Sequence, residues 1–273
     1  MSISLKLGDR THIMGVINVT PDSFYDGGKF LNGDKAIKRA WEMVEEGADI
    51  VDIGGESTRP GAGSISEEEE LKRVIPVIEK LVTKDFPIPI SIDTYKARVA
   101  QEAVSAGASL VNDISGLKFD SGMARTVAKA GVSVVLMHTR GKPADMQKNV
   151  SYDSLFGEII DYLKESIALA EAQGVSSDAI IVDPGIGFGK SPEDNLRIIK
   201  GLSAFKVLGK PVLVGPSRKS FIGKVLDCEP EDRLEGSLAA SVIAVMNGAD
   251  ILRVHDVKAT KKAAMVADAI KKS

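Results

Sequence analysis

The sequence predicts an α/β fold: a closed (β/α)8 barrel, a TIM-type barrel, formed as one domain over residues 1–273. Two observations predict it. Eight short apolar runs alternate with segments of helical periodicity along the whole chain, and each run ends in a polar or glycine-rich cluster. The runs occupy residues 13–19, 50–53, 89–92, 110–111, 132–137, 179–182, 211–214 and 251–254. They are apolar at successive positions, as strands covered on both faces are. A doubly wound open sheet is the competing architecture, but it would scatter the eight tips, whereas a barrel gathers them at one mouth.

Taken in order, the first run leads into Asn18-Val-Thr-Pro-Asp-Ser. Residues 34–47 then place Ala36, Ile37, Ala40, Trp41 and Val44 on one helical stripe closed by Gly47. The second run ends in Gly54-Gly-Glu-Ser-Thr-Arg-Pro-Gly. Ser66 and the glutamates after it read as a capping box, opening a helix through Leu71, Val74, Ile75 and Ile78. The acidic stretch 67–70 is assigned to the helix dipole and solvent. The third and fourth runs end in Asp93-Thr and Asn112-Asp, the fifth in His138-Thr-Arg-Gly, and the sixth in Asp183-Pro-Gly-Ile-Gly-Phe-Gly-Lys. The seventh ends in Gly215-Pro-Ser-Arg-Lys-Ser and the eighth in His255-Asp. Helices are predicted over 94–106, 122–130, 152–173, 192–200, 232–247 and 257–271.

Composition bounds the function. Lys and Arg total 35 against 38 Asp and Glu, so a net charge of −3 offers no basic field for nucleic acid or anionic lipid. Cys228 is the only cysteine, which excludes an internal disulfide. It reads as a spectator in a loop linking helices. The N-terminal residues lack the pattern of a signal peptide, and no apolar run approaches the roughly 20 residues of a membrane span. The expectation is a cytoplasmic protein with no membrane partner.

The strand ends carry the candidate chemistry. Asn18 and Asp22 fit either an Asx-type turn fixed by Pro21 or an oxygen site for a hard cation, and the residues leave both open. The glycine-rich stretch around Thr58, Arg59 and Pro60 has little packing of its own and suits a lid that brings a hydroxyl and a cation to a ligand. Asp93 alone reads as a helix cap. Together, Asp93, Asn112 and Asp183 suit the N–H edge of a flat heterocycle. Asp113, one residue on, alternates to the other face and is structural. The segment after Asp183 has neither Walker spacing nor the dinucleotide fingerprint. Phe188 within it either projects over a ring or plugs the core. Arg253 and His255 lie two apart on one strand and face the same side, where burial demands an anion or a carboxylate. Ser217, Arg218, Lys219 and Ser220 add donors at the end where barrels bind phosphate. His138 has no second histidine or cysteine near it, which argues against zinc. His12 is expected at the surface.

These motifs carry a resemblance. Met14-Gly-Val-Ile-Asn-Val-Thr-Pro-Asp-Ser-Phe, Asp52-Ile-Gly-Gly-Glu-Ser-Thr-Arg-Pro-Gly and Asp183-Pro-Gly-Ile-Gly-Phe-Gly-Lys are similar to the signatures of the dihydropteroate synthase family. Ser91-Ile-Asp-Thr, Val111-Asn-Asp, Gly215-Pro-Ser-Arg-Lys-Ser and Arg253-Val-His-Asp extend it over nearly the whole chain. The resemblance implies an enzyme of folate biosynthesis and sulfonamide target. Such an enzyme joins p-aminobenzoate to 6-hydroxymethyl-7,8-dihydropterin diphosphate with magnesium, releases pyrophosphate, and works as a homodimer. It implies a pterin set of Asp93, Asn112, Asp183, Lys219 and Arg253, with Asn18 as the magnesium and diphosphate contact. Arg253 and His255 become diphosphate anchors. Thr58, Arg59, Pro60, Phe188 and Ser220 become the p-aminobenzoate walls, and Lys219, Arg253, His255 and Asp93 the catalytic group. Two departures from the commoner family pattern are Thr139-Arg140 after His138, where Met-Gln is expected, and Tyr25, where a small serine is frequent.

Overall fold

The computed structural model describes residues 8–20, 29–58, 61–148 and 150–273, with the backbone alone for 29–32. Eight parallel strands are present: β1 His12–Asn18, β2 Ile50–Gly54, β3 Ile90–Asp93, β4 Leu110–Asp113, β5 Ser133–Met137, β6 Ile180–Asp183, β7 Leu213–Val214 and β8 Ile251–Val254. They pair in the order β6-β5-β4-β3-β2-β1-β8-β7. A parallel bridge between Val182 and Val212, with the Val182 N–H donating to the Pro211 carbonyl at 2.9 Å, joins the two outer strands and nearly closes the ring.

The helices between them are α1 Lys29–Glu46, α2 Glu67–Val82, α3 Ala97–Ser105, α4 Met123–Ala130, α5 Leu155–Ala172, α6 Pro192–Lys200, α7 Ser220–Leu226, α8 Leu234–Met246 and α9 Val257–Lys272. Their apolar stripes and the outward strand residues form the main core, which includes Ile13, Ile17, Val51, Ile53, Val74, Ile78 and Val111. The amphipathic periodicity seen in the sequence therefore faces the barrel wall.

The inward residues form two layers of opposite character. Met14, Ile50, Leu110, Val135, Ile181, Leu213 and Ile251 cluster together as the apolar layer, with the buried Ser91 as the position contributed by β3. Each of those apolar side chains contributes about 1.5–3 kcal/mol by leaving water. Strand side chains repeat every second residue, so the next inward layer is Val16, Asp52, Asp93, Asn112, Met137, Asp183, Gly215 and Arg253. One step along the barrel axis therefore changes a packed hydrocarbon floor into a polar mouth.

Two expectations, for His12 and Glu70, need correction; the helix-cap alternative for Asp93 falls away, and one helix is added to those predicted. His12 is not at the surface: it is 5% exposed as the first residue of β1, where its amide donates to the Asp250 carbonyl at 2.9 Å. Strand pairing begins one residue earlier than the hydrophobic run, which draws the imidazole inside. Glu70 of the acidic stretch is 1% exposed and bonds to Lys96 at 2.6 Å instead of facing solvent. Asp93 does not cap α3, which starts later behind Lys96. Residues 220–226, which lack the length for a clear periodic stripe, form α7. The Ser66 hydroxyl accepts from the Glu69 N–H at 3.2 Å and caps α2, one half of the expected capping box, while the Glu69 carboxylate turns to Arg73 at 3.1 Å.

Candidate active site

The polar layer is organised around Arg253. Its Nε donates to Asp52 Oδ2 and its Nη2 to Asp93 Oδ2, each at 2.6 Å. Asn112 Nδ2 donates to the same Asp52 oxygen at 2.9 Å. Asp52 is wholly buried and Asp93 is nearly so. Two carboxylates around one guanidinium leave this dry floor acidic, and one oxygen of each (Oδ1) has no hydrogen-bond partner. Burial pushes the Asp93 carboxyl up, while the adjacent Arg253 pulls it down and Asp52 adds to the rise. A surface like this selects a ligand rich in N–H donors or positive charge.

Around the floor opens a narrow cleft of about 30 Å³. It is lined by Thr58, Asp93, Asn112, Asp183, Phe188, Lys219, Arg253 and His255, together with Val16, Ile114, Met137, Ile186, Gly215 and Ser217. Eight residues proposed from sequence thus converge at one mouth. Asp113 points away, accepting from the Ser115 and Leu117 backbone at 2.8 and 2.9 Å. Ser220 is exposed at the start of α7 and does not line the cleft. Arg59, Pro60, Asp22 and Tyr25 lie outside the described residues.

The loops explain how each side chain reaches the cleft. Asp183 ends β6, and its Oδ1 accepts from the Gly185 N–H at 2.7 Å. Gly185 has φ +74°, and a Cβ there would sit 2.0 Å from the His138 carbonyl, so only glycine fits. Burial pushes the Asp183 carboxyl up to about 6, with the Gly185 bond and Lys219 opposing. Arg218 adopts φ +55° and turns its guanidinium outward onto Asp256 at 2.8 and 2.9 Å. That reversal leaves Lys219 in the cleft, with Nζ 4.4 Å from the centre of the Phe188 ring. Phe188 is 7% exposed and packs with Ile114, Met137 and Met146, so it is both wall and plug. His255 Nδ1 lies 3.1 Å from Ser217 Oγ. Burial, helped by Arg253 and Lys219, pushes this imidazole down to about 4, so it is neutral at physiological pH.

Asp52 was not among the residues singled out from sequence. Its signal was the two-residue alternation from Ile50, masked because the motif around it draws attention to the loop beyond. Lys190 was missed too: it is 3% exposed behind the cleft wall. The Thr139-Arg140 departure has a structural place. Thr139 Oγ1 donates to the Gly141 carbonyl at 2.9 Å, while Arg140 pairs with Glu158 at 2.8 Å and lies over the Tyr152 ring.

The family described as Pterin binding enzyme matches residues 14–255, which include every polar-layer residue above. The chain belongs to the pterin-binding enzyme family. Among its relatives, the dihydropteroate synthase of Clostridium beijerinckii is 50% identical, over 98% of this chain and 97% of that one. The structure of the Clostridium difficile dihydropteroate synthase in the presence of pteroic acid superposes with a TM-score of 0.93 at 49% identity, over 99% of this chain and all of that one. That of Xanthomonas albilineans with 4-aminobenzoic acid gives 0.91 at 46% identity, over 97% of this chain and 94% of that one. Within the pterin-binding family the chain thus groups with the dihydropteroate synthases, which are transferases.

Proposed function

We propose that the cleft binds 6-hydroxymethyl-7,8-dihydropterin diphosphate and p-aminobenzoate and joins them by a dissociative substitution at the pterin methylene carbon. The single observation that carries this is the acidic floor of Asp52, Asp93 and Asp183 around Arg253. A pterin presents N–H groups along one edge, and carboxylates in low dielectric are its complement. Asp183, with one oxygen committed to Gly185, and Asn112 hold that edge. Asp93 sits beside them, and Lys219 offers a cation to the ring system.

As the bond from methylene to diphosphate lengthens, positive charge spreads into the pterin held by these carboxylates, which stabilise it. The remaining N–H groups of Arg253 and the neutral His255 ring receive the departing oxygens. The amine of p-aminobenzoate then forms the new C–N bond at the methylene from the Phe188 and Lys219 side and loses its proton to solvent, and pyrophosphate leaves. Thr58 lines that side, and Arg59 and Pro60 are assigned there from sequence. No group in the described cleft is set up as a covalent nucleophile, and the reaction as written needs none.

A magnesium contact is assigned to Asn18 on the chemistry of its donor, a neutral carboxamide oxygen at the end of β1 beside Gly54. Magnesium keeps most of its waters and is held by few protein oxygens plus phosphate. Asn18 is the residue that would hold it, and the ion would supply charge neutralisation to the diphosphate.

We place the enzyme in the cytoplasm as one domain over residues 1–273; among the described residues no helix is long and apolar enough to cross a membrane. We also assign it a homodimer. Ile243 and Met246 on α8, with Met265, Val266 and Ile270 on α9, are 42–62% exposed, an apolar face that a second copy would cover.

The test is purified protein with the pterin diphosphate, p-aminobenzoate and magnesium, monitored for pyrophosphate. Release dependent on both substrates is expected. Asp183→Ala abolishes pterin binding in calorimetry; unchanged affinity in that variant refutes the pocket assignment. Pterin binding without turnover would mark a silent binding protein. Methyl transfer from methyl-tetrahydrofolate to a cobalamin partner would mark a corrinoid methyltransferase.

A further inference from the structure

The backbone around Phe188 is held from four directions. Gly187 donates its N–H to Asn195 Oδ1 at 2.7 Å, and its carbonyl accepts from Gln147 Nε2 at 2.9 Å. The Gly189 carbonyl accepts from the Tyr152 hydroxyl at 2.7 Å. The Phe188 carbonyl itself accepts from Lys190 Nζ at 3.0 Å. Gly187 and Gly189 have φ of +83° and +63°, so without these bonds the segment has wide conformational freedom.

Lys190 is the unusual member. Its ammonium is 3% exposed and also stands 2.9 Å from His138 Nδ1, itself in a side chain 4% exposed. As the ammonium, Lys190 only donates, so in that state Nδ1 is the acceptor and the imidazole carries its proton on Nε2. No carboxylate bonds to Lys190 among the described contacts. Burying an ammonium on two neutral acceptors is costly, and burial pushes this one down to about 7. Its two acceptors come from different loops: the carbonyl behind Phe188 and the imidazole at the end of β5. Arg140, stacked on Tyr152 at 4.3 Å within the connection from β5 to α5, braces the ring whose hydroxyl bonds to Gly189.

We propose that Lys190 is a positioning residue: with Tyr152 and Gln147 it fixes the Phe188 backbone so that the ring stands at the arylamine position, and so sets affinity for p-aminobenzoate without touching it. This rests on the assignment of Phe188 to the p-aminobenzoate wall made above. The clamp lies behind the ring and makes no hydrogen bond to Asp52, Asn112 or Asp93; its one link to the pterin set is the Lys190 charge acting on Asp183, a link that Tyr152 and Gln147 do not share.

The experiment is steady-state kinetics of full-length Lys190→Met, with calorimetry of the pterin diphosphate and magnesium in the absence of p-aminobenzoate. KM for p-aminobenzoate is expected to rise roughly tenfold, the scale of one charge-assisted hydrogen bond, with a smaller loss of pterin affinity through the Lys190 charge on Asp183. Lys190→Gln, which keeps a donor for the carbonyl, recovers part of the loss. Tyr152→Phe removes a second bond of the clamp without removing a charge, and gives a smaller rise in the same constant. It carries the test if Lys190→Met does not fold. An unchanged KM in Tyr152→Phe and in whichever lysine variants fold overturns the inference. So does an equal loss of pterin affinity, which would mark general structural support. Wild-type protein that releases no pyrophosphate would instead overturn the proposed function, and this inference with it.

Discussion

Replacing Arg253 by methionine tests the acidic floor most directly. The change keeps most of the side chain's length but removes the guanidinium that bonds to Asp52 and Asp93 at 2.6 Å each. Asp52 is 0% and Asp93 6% exposed, so both carboxylates stay behind in a dry site facing each other. Removing one partner of a buried ion pair costs about 3–5 kcal/mol. At about 2–4 °C per kcal/mol for a domain of this size, the midpoint should fall by roughly 6–20 °C near neutral pH. The pH dependence fixes the sign. Arg253 is the main influence holding the Asp93 carboxyl down, so its loss raises that group further. A carboxyl whose folded pKa lies above its unfolded value costs stability above that pH range, and the cost fades as protons return. Thermal melts followed by circular dichroism at pH 8 and pH 5 should therefore show a larger deficit for Arg253→Met, relative to wild type, at pH 8. A deficit equal at both pH values, or below about 1 kcal/mol, would refute the account of two carboxylates held by one cation.

Three further outcomes are expected. Because Asp183 is raised to about 6 by burial and binds as the carboxylate, kcat/KM for the pterin diphosphate should fall about tenfold per pH unit below that value, and Asp183→Asn should remove this acidic limb from whatever activity remains. Gly185→Ala should abolish pterin binding, since its Cβ would meet the His138 carbonyl at 2.0 Å; Gly209→Ala has φ +64° but open space, and should cost only about 1–2 kcal/mol in melting with binding intact. Ile243→Glu should shift the protein to the monomer in sedimentation, and a sedimentation coefficient unchanged from wild type would exclude that face as the dimer contact.

Much of the barrel and its mouth could be read from the chain because both periodicities are local. A helix stripe such as Ala36, Ile37 and Ala40 shows in a window of a few residues. So does the pairing of Arg253 with His255 on one face. Asp93, Asn112, Asp183 and Lys219 announced themselves as polar residues ending apolar runs. Asp52 did not, because it lies inside a run and only the phase of the strand shows that it faces inward with Ile50. Lys190 resembled the ordinary end of a glycine-rich loop, and its partner His138 is 52 residues away. His12 reads from sequence as a surface residue because the start of pairing depends on Asp250, far along the chain.

By itself, then, the order of residues determined which elements form, how many times the unit repeats, and which side chains stand at the ends of strands. Those properties depend on neighbours within a turn or two of backbone. Which carboxylates share Arg253, which imidazole is left neutral, and how Phe188 is held were decided only when the ring came together. Each depends on the dielectric and on partners contributed by other strands, and neither exists until the chain has folded.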